Sequence, residues 1–321
     1  MHALNFSTKA IEDLLSFPCP DAPGTAAGLR YIVGKLREAE VFMLQDGGDL
    51  LDRSKPRPQV PGLLFKPPFP VVALEFPANT QEWGSSPYTV AKCSRRISLA
   101  WEWSDDLPDE LKAWAPQIDR PGVIIASIAC YDEQRIWMAV PLGAYVPFDG
   151  QYIEPDTSEF RDTMLAEGRI NLAQANAPAY EIKPFPLLPD AIAAVAGQHG
   201  IDRMFDFMRA DLMDEVNAYC DLCFMLACRN VEIDRHPASA PLNKARIKAG
   251  RIPLKDFHVL MLKGEQSEAG TAIGSRSGPR THLRRGHIRR LSQTRITWVN
   301  AALVRGRGGA VSKSYAVKGS S

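Results

Sequence analysis

The stretch Val123-Ile124-Ile125-Ala126-Ser127-Ile128-Ala129-Cys130, followed by Tyr131-Asp132-Glu133-Gln134 and then Arg135-Ile136-Trp137-Met138-Ala139-Val140-Pro141-Leu142, decides the fold. The first run is apolar, rich in β-branched side chains and far too short to cross a membrane, so it reads as a buried strand. The four polar residues read as a hairpin loop, and residues 135–142 return as the next strand. Working outward, residues 71–76 and 96–103 have the same character and are bounded by Pro and Gly. The whole of 71–142 is therefore expected to form a sheet. Trp101, Trp103 and Trp137 fall in or beside it and are expected in the core and not as base-stacking platforms, because the segment around them is acidic.

Helices flank this sheet. Phe6 precedes Ser7, which suits an N-cap, and Ile11 is placed to pack back on Phe6. A second helix is expected over residues 26–44, stopping before Asp46-Gly47-Gly48. Six prolines from Pro56 to Pro70 then impose an extended connector. Residues 187–231 read as helix, with Ile201, Met204, Phe205, Met208, Leu212, Val216, Tyr219 and Cys223 at three- and four-residue steps. The prediction is an α+β protein: N-terminal helices and a mostly antiparallel sheet, a long central helix and a C-terminal basic β-hairpin element.

The charges are unevenly distributed. The 321 residues carry 38 Lys and Arg against 37 Asp and Glu, a net of +1. Residues 1–240 hold 21 basic and 34 acidic side chains, whereas 241–321 hold 17 and 3. We therefore divide the chain into an acidic α+β body, residues 1–236, and a basic C-terminal element, residues 237–321. Within the latter, 243–253 reads as a basic connector and 256–263 as a strand. Residues 264–279 read as a Gly/Ser-rich loop, and 280–291 and 295–304 as two strands joined across Ser292-Gln293-Thr294. The tail from 305 is expected to fray. Such asymmetry points to a polyanion partner for the basic part.

The densest basic stretch is Arg280-Thr281-His282-Leu283-Arg284-Arg285-Gly286-His287-Ile288-Arg289-Arg290, with five arginines and two histidines. The planar guanidinium fork suits phosphate, so Arg280, Arg284, Arg285, Arg289 and Arg290 are the candidate nucleic-acid contacts. The alternative is a strand docked on the protein's own acidic body. His282 and His287 are a conditional acid–base pair: on a regular strand an odd spacing sets them on opposite faces, and only a bulge at Gly286 would bring them together.

Other motifs are weaker. Cys220, Cys223 and Cys228 lack a fourth zinc ligand other than His236 and sit in an apolar helical run, so they read as core, and no metal or cofactor is expected. Glu181 and Lys183 form the E-x-K half of a metal-dependent nuclease signature, with Asp156 upstream. No apolar run is long enough to cross a membrane and no secretion signal is visible, so the expected setting is a reducing cytoplasm with no membrane partner.

Residues 282–289 (HLRRGHIR), after Gly278-Pro279-Arg280 and before 295–304 (RITWVNAALV), resemble the C-terminal signature of a phage and plasmid family that includes a type V-A anti-CRISPR protein. Residues 243–262 resemble the lead-in to that signature, and Ile288 stands where an aromatic is expected. The resemblance covers the last quarter of the chain. It implies a non-enzymatic inhibitor in the bacterial host cytoplasm. Such a protein would recognise the nascent N-terminal peptide of the type V-A CRISPR effector nuclease together with RNA or the ribosome, and lower effector production. The alternatives read from the residues are a ribonuclease or metal-dependent nuclease, and an acidic mimic of nucleic acid.

Overall fold

A computed structural model describes residues 5–44, 46–51, 63–78, 93–150, 152–153, 159–166, 172, 176, 179–262, 282–284, 287–292, 295–299 and 302–304. In chain order the elements are α1 (Phe6–Ser16), α2 (Pro23–Glu38), β1 (Glu40–Met43), β2 (Val71–Pro77), β3 (Cys93–Glu102), α3 (Asp109–Lys112), β4 (Gly122–Tyr131), β5 (Ile136–Ala139) and β6 (Leu142–Pro147). They continue with β7 (Tyr152–Ile153), α4 (Glu159–Ala166), β8 (Ala179–Tyr180), β9 (Lys183–Pro186), α5 (Pro189–His199), α6 (Ile201–Leu226), β10 (Val231–His236), α7 (Ala240–Lys248) and β11 (Phe257–Leu262). Four short strands follow: β12 (His282–Arg284), β13 (His287–Arg290), β14 (Ile296–Val299) and β15 (Ala302–Val304). The α+β class is as the sequence predicts.

A nine-stranded mixed sheet in the order β10-β11-β1-β2-β3-β4-β6-β9, with β5 also on β4, forms the centre. β1 runs parallel to both β2 and β11, and every other pairing is antiparallel. Alternate residues serve opposite faces. Val71 and Ala73 join Ile124, Ala126 and Ile128 under α1 and α2. Val72, Leu74 and Phe76 join Val123 and Ile125 under the C-terminal half of α6. Covering both faces explains why residues 123–130 read as an unbroken apolar run and not as an alternation. Trp101 and Trp137 are buried, and Trp103 packs against the same core.

Several expected boundaries are corrected. α2 ends at Glu38, not at 44, because Glu40–Met43 is drawn into parallel ladders on both sides. The helix end is closed by Lys255 Nζ, which donates to the carbonyls of Arg37 (2.8 Å) and Ala39 (2.5 Å). The expected strand 135–142 is two strands that share one flank of β4, since Pro141 cannot donate to a ladder. The helical stretch 187–231 breaks at Gly200, whose φ of 84° and ψ of 151° suit only glycine. Residues 243–253 begin with a helix, α7, where a connector was expected. The division expected at 236/237 does not interrupt the sheet, because β11 fills the place between β10 and β1.

The start of α1 differs most in its chemistry. Ser7 is not the N-cap. Asn5 precedes the helix at φ 50° with no side-chain cap, and Glu75 of β2 supplies the acceptor instead. Its wholly buried carboxylate accepts the N–H groups of Phe6 and Ser7 at 2.8 Å each and the Ser7 hydroxyl at 2.6 Å. A helix start leaves its first N–H groups unpaired, and a buried start needs partners such as these. On the other face, Glu215 of α6 is buried beside Arg96 of β3, with Nε to Oε1 at 2.5 Å. Arg96 also donates to Ser127 Oγ at 3.1 Å, and Ser98 Oγ donates to the Glu215 carbonyl at 3.0 Å.

Candidate nucleic-acid interface

The basic element is anchored where α6 runs out. Cys228 forms a parallel bridge with Ile296, and the Arg229 N–H bonds the Ile296 carbonyl at 3.4 Å. Asn230 then takes over with its side chain. Its Oδ1 accepts the Trp298 N–H and the Thr297 hydroxyl, each at 2.9 Å, and its Nδ2 donates to the Trp298 carbonyl at 2.8 Å. One carboxamide thus substitutes for a strand partner at the edge of β14.

β14 pairs with β13 in the register Arg290↔Ile296, Arg289↔Thr297, Ile288↔Trp298 and His287↔Val299. Ile296 is 3 % exposed, and Ile288 and Trp298 pack against the core beside α6. Arg289, Arg290 and Arg295 are exposed, as is Arg229 beside them. Arg290 Nε donates to the Ser292 carbonyl at 3.0 Å. The hairpin therefore seats itself through apolar residues and one asparagine while these guanidinium groups reach water. Replacing Asn230 with alanine should remove three of these bonds at once. Amide exchange at residues 296–298 should then accelerate about tenfold or more, with a global loss of about 1–3 kcal/mol. Unchanged exchange there would refute the anchoring role.

The remaining candidates are scattered. Arg284 lies on β12, paired with Ala302, while Arg280 and Arg285 lie outside the described residues. His282 and His287 occupy separate ladders, opposite Val304 and Val299. The bulge their pairing would need falls at 285–286, also outside the described residues. Glu181 is engaged in an ion pair with Arg120, and Lys183 faces Asp119 at 3.4 Å. Asp156 lies outside the described residues. Cys220, Cys223 and Cys228 are buried, and burial pushes the thiols of Cys223 and Cys228 up to about 12, which leaves them unreactive at neutral pH. Among the described residues no group of three or more His, Cys, Asp or Glu could hold a metal ion, and no helix is long and apolar enough to cross a membrane.

Sequence reasoning missed Arg229, Asn230 and Arg295. The available signal was Arg229-Asn230 itself, a polar pair directly after an all-apolar helix end. Fold and site together define a three-layer α+β protein with an arginine-bearing hairpin docked at one end of its long helix. No family model, curated protein or solved structure matches the chain.

Proposed function

We propose that this protein contacts RNA through the docked hairpin and, as the resemblance of its C-terminal quarter implies, lowers production of a type V-A CRISPR effector nuclease whose nascent N-terminal peptide it recognises. The observation that carries the RNA half is the exposure of Arg289, Arg290 and Arg295 on a hairpin whose apolar residues are spent on the core, with Arg229 exposed on the segment that anchors it. Exposed guanidinium groups on a fixed hairpin give phosphate contacts, which fix position on a nucleic acid without reading its bases. Trp298 is turned to the core, so base stacking plays no part at that position.

The test is RNA affinity of the Arg289→Ala/Arg290→Ala/Arg295→Ala variant across a salt series. Each guanidinium–phosphate pairing removed should lower the slope of log affinity against log salt by about 0.7 for a single strand or 0.9 for a duplex. An unchanged affinity and slope would refute the RNA half. The peptide half is read separately, with a reporter fused behind the first codons of the effector. Its expression should fall with this protein and recover when those codons are scrambled. A reporter indifferent to the codons removes the anti-CRISPR reading without touching the RNA result.

A further inference from the structure

The two edges of the large sheet are unlike. At one edge, β9 reads Lys183-Pro184-Phe185-Pro186. The Leu187 N–H, in phase with Lys183 and Phe185, bonds the Pro141 carbonyl next to β6, so Pro184 and Pro186 take the outward positions. With no N–H there, that edge cannot donate to a further strand. At the other edge, β10 has six residues, no proline, and side chains exposed from Glu232 to Arg235. Every second residue of β10 turns its N–H and C=O away from β11, and among the described residues no strand pairs with that side. A long open edge of this kind is what proteins ordinarily cover or blunt.

The side chains say what would fit. Glu232 and Asp234 share one face, about 7 Å apart at two residues of strand rise. Val231 and Ile233 share the other, with Ile233 37 % exposed. Asp234 already meets His236 at 3.2 Å, and Glu232 has contacts of its own, but an ionised carboxylate has acceptor capacity for further donors. A second copy of the chain fits poorly. A two-fold axis normal to the sheet pairs residues of equal parity. Every such register that pairs more than one residue of β10 sets Glu232 on itself or on Asp234, Asp234 on itself, or Arg235 on itself, and like charges directly opposite repel.

We infer that the outer edge of β10 is a docking site for an extended peptide segment whose side chains alternate between basic and apolar. Main-chain hydrogen bonds to the edge supply the affinity. Glu232 and Asp234 select the basic side chains, and Val231 with Ile233 receives the apolar ones. The inference rests on the peptide half of the function proposed above and is independent of the RNA half.

The experiment uses the full chain and an acetylated octapeptide of alternating lysine and valine. Hydrogen exchange with the peptide present should slow at residues 231–236 and not at β9. Two control peptides, one with alternate backbone nitrogens methylated and one with glutamate in place of lysine, should each bind at least about tenfold more weakly. The Glu232→Lys/Asp234→Lys variant should reverse the preference between lysine and glutamate peptides while its melting temperature holds, since both positions are exposed. Absence of protection in β10 would overturn the inference, as would equal binding of the methylated peptide. Protection that appears without peptide and tracks a dimer in light scattering would assign the edge to a second copy, and also overturns it. If the reporter ignores the effector codons while β10 is protected, the effector reading fails and the docking site stands.

Discussion

Replacing Arg96 with alanine should lower the free energy of unfolding by about 3–5 kcal/mol at neutral pH, because it strands a buried charge. Glu215 has no exposed surface, and Arg96 is the cation beside it, at 2.5 Å. Burial holds the Glu215 carboxyl above its usual value of 4.5, with Arg96 opposing that shift. The folded chain therefore holds this proton more tightly than the unfolded chain does. The corresponding stability is present in full below pH 4.5 and is lost as pH rises through the elevated folded value. Without Arg96 the opposing influence is gone, so the deficit of the variant should be largest near pH 7.5 and should shrink toward pH 5. Urea unfolding of both proteins at the two pH values measures this, with the slope of free energy against urea serving as the check on two-state behaviour. Equal deficits at both pH values would rule out the account. The double change Arg96→Met/Glu215→Leu removes both charges and should regain much of the loss.

Glu75→Ala is the second large effect, at about 2–4 kcal/mol. It orphans two backbone N–H groups and one hydroxyl, all buried, and each unmet donor costs about 1–3 kcal/mol before relaxation. The damage should be local first: amide protection across α1 should collapse before that of β2 and β3. Ser7→Ala removes only the hydroxyl bond and should cost about 1 kcal/mol. If Glu75→Ala and Ser7→Ala melt together, the remote carboxylate is not the cap of α1. Both Glu75 and Glu215 are buried acids inside apolar packing. Each fastens a helix layer to the sheet by something other than hydrophobic contact.

The legible parts of the fold were those where neighbours in sequence are neighbours in space. β3, β4 and the turn before β5 follow from apolar runs and one polar tetrad. The helix over 201–226 follows from its period, although the break at Gly200 does not, since glycine interrupts a pattern without announcing an angle. Glu75 was visible as a lone charge in Val71-Val72-Ala73-Leu74-Glu75-Phe76-Pro77, but its partners lie 68 and 69 residues away. At the candidate interface, Arg289 and Arg290 were legible as basic residues on a strand. Asn230, which anchors that strand, was not, because its partners are 67 and 68 positions further on.

Sequence alone determined the α+β class, the apolar strands, the amphipathic long helix and the concentration of arginine in the last quarter, since each depends on composition or short-range periodicity. Tertiary structure decided the rest. It assigned residues 40–43 to a strand between β2 and β11, chose remote carboxylates to cap and clamp the helices, and set the hairpin on the end of α6 with Arg289, Arg290 and Arg295 outward. It also placed β10 and β9 at the two ends of the strand order, with no strand among the described residues on the outer side of β10. The reason is the same in each case: a backbone or charged group taken out of water must find a partner, and the partner is chosen by proximity in space, which local sequence does not encode.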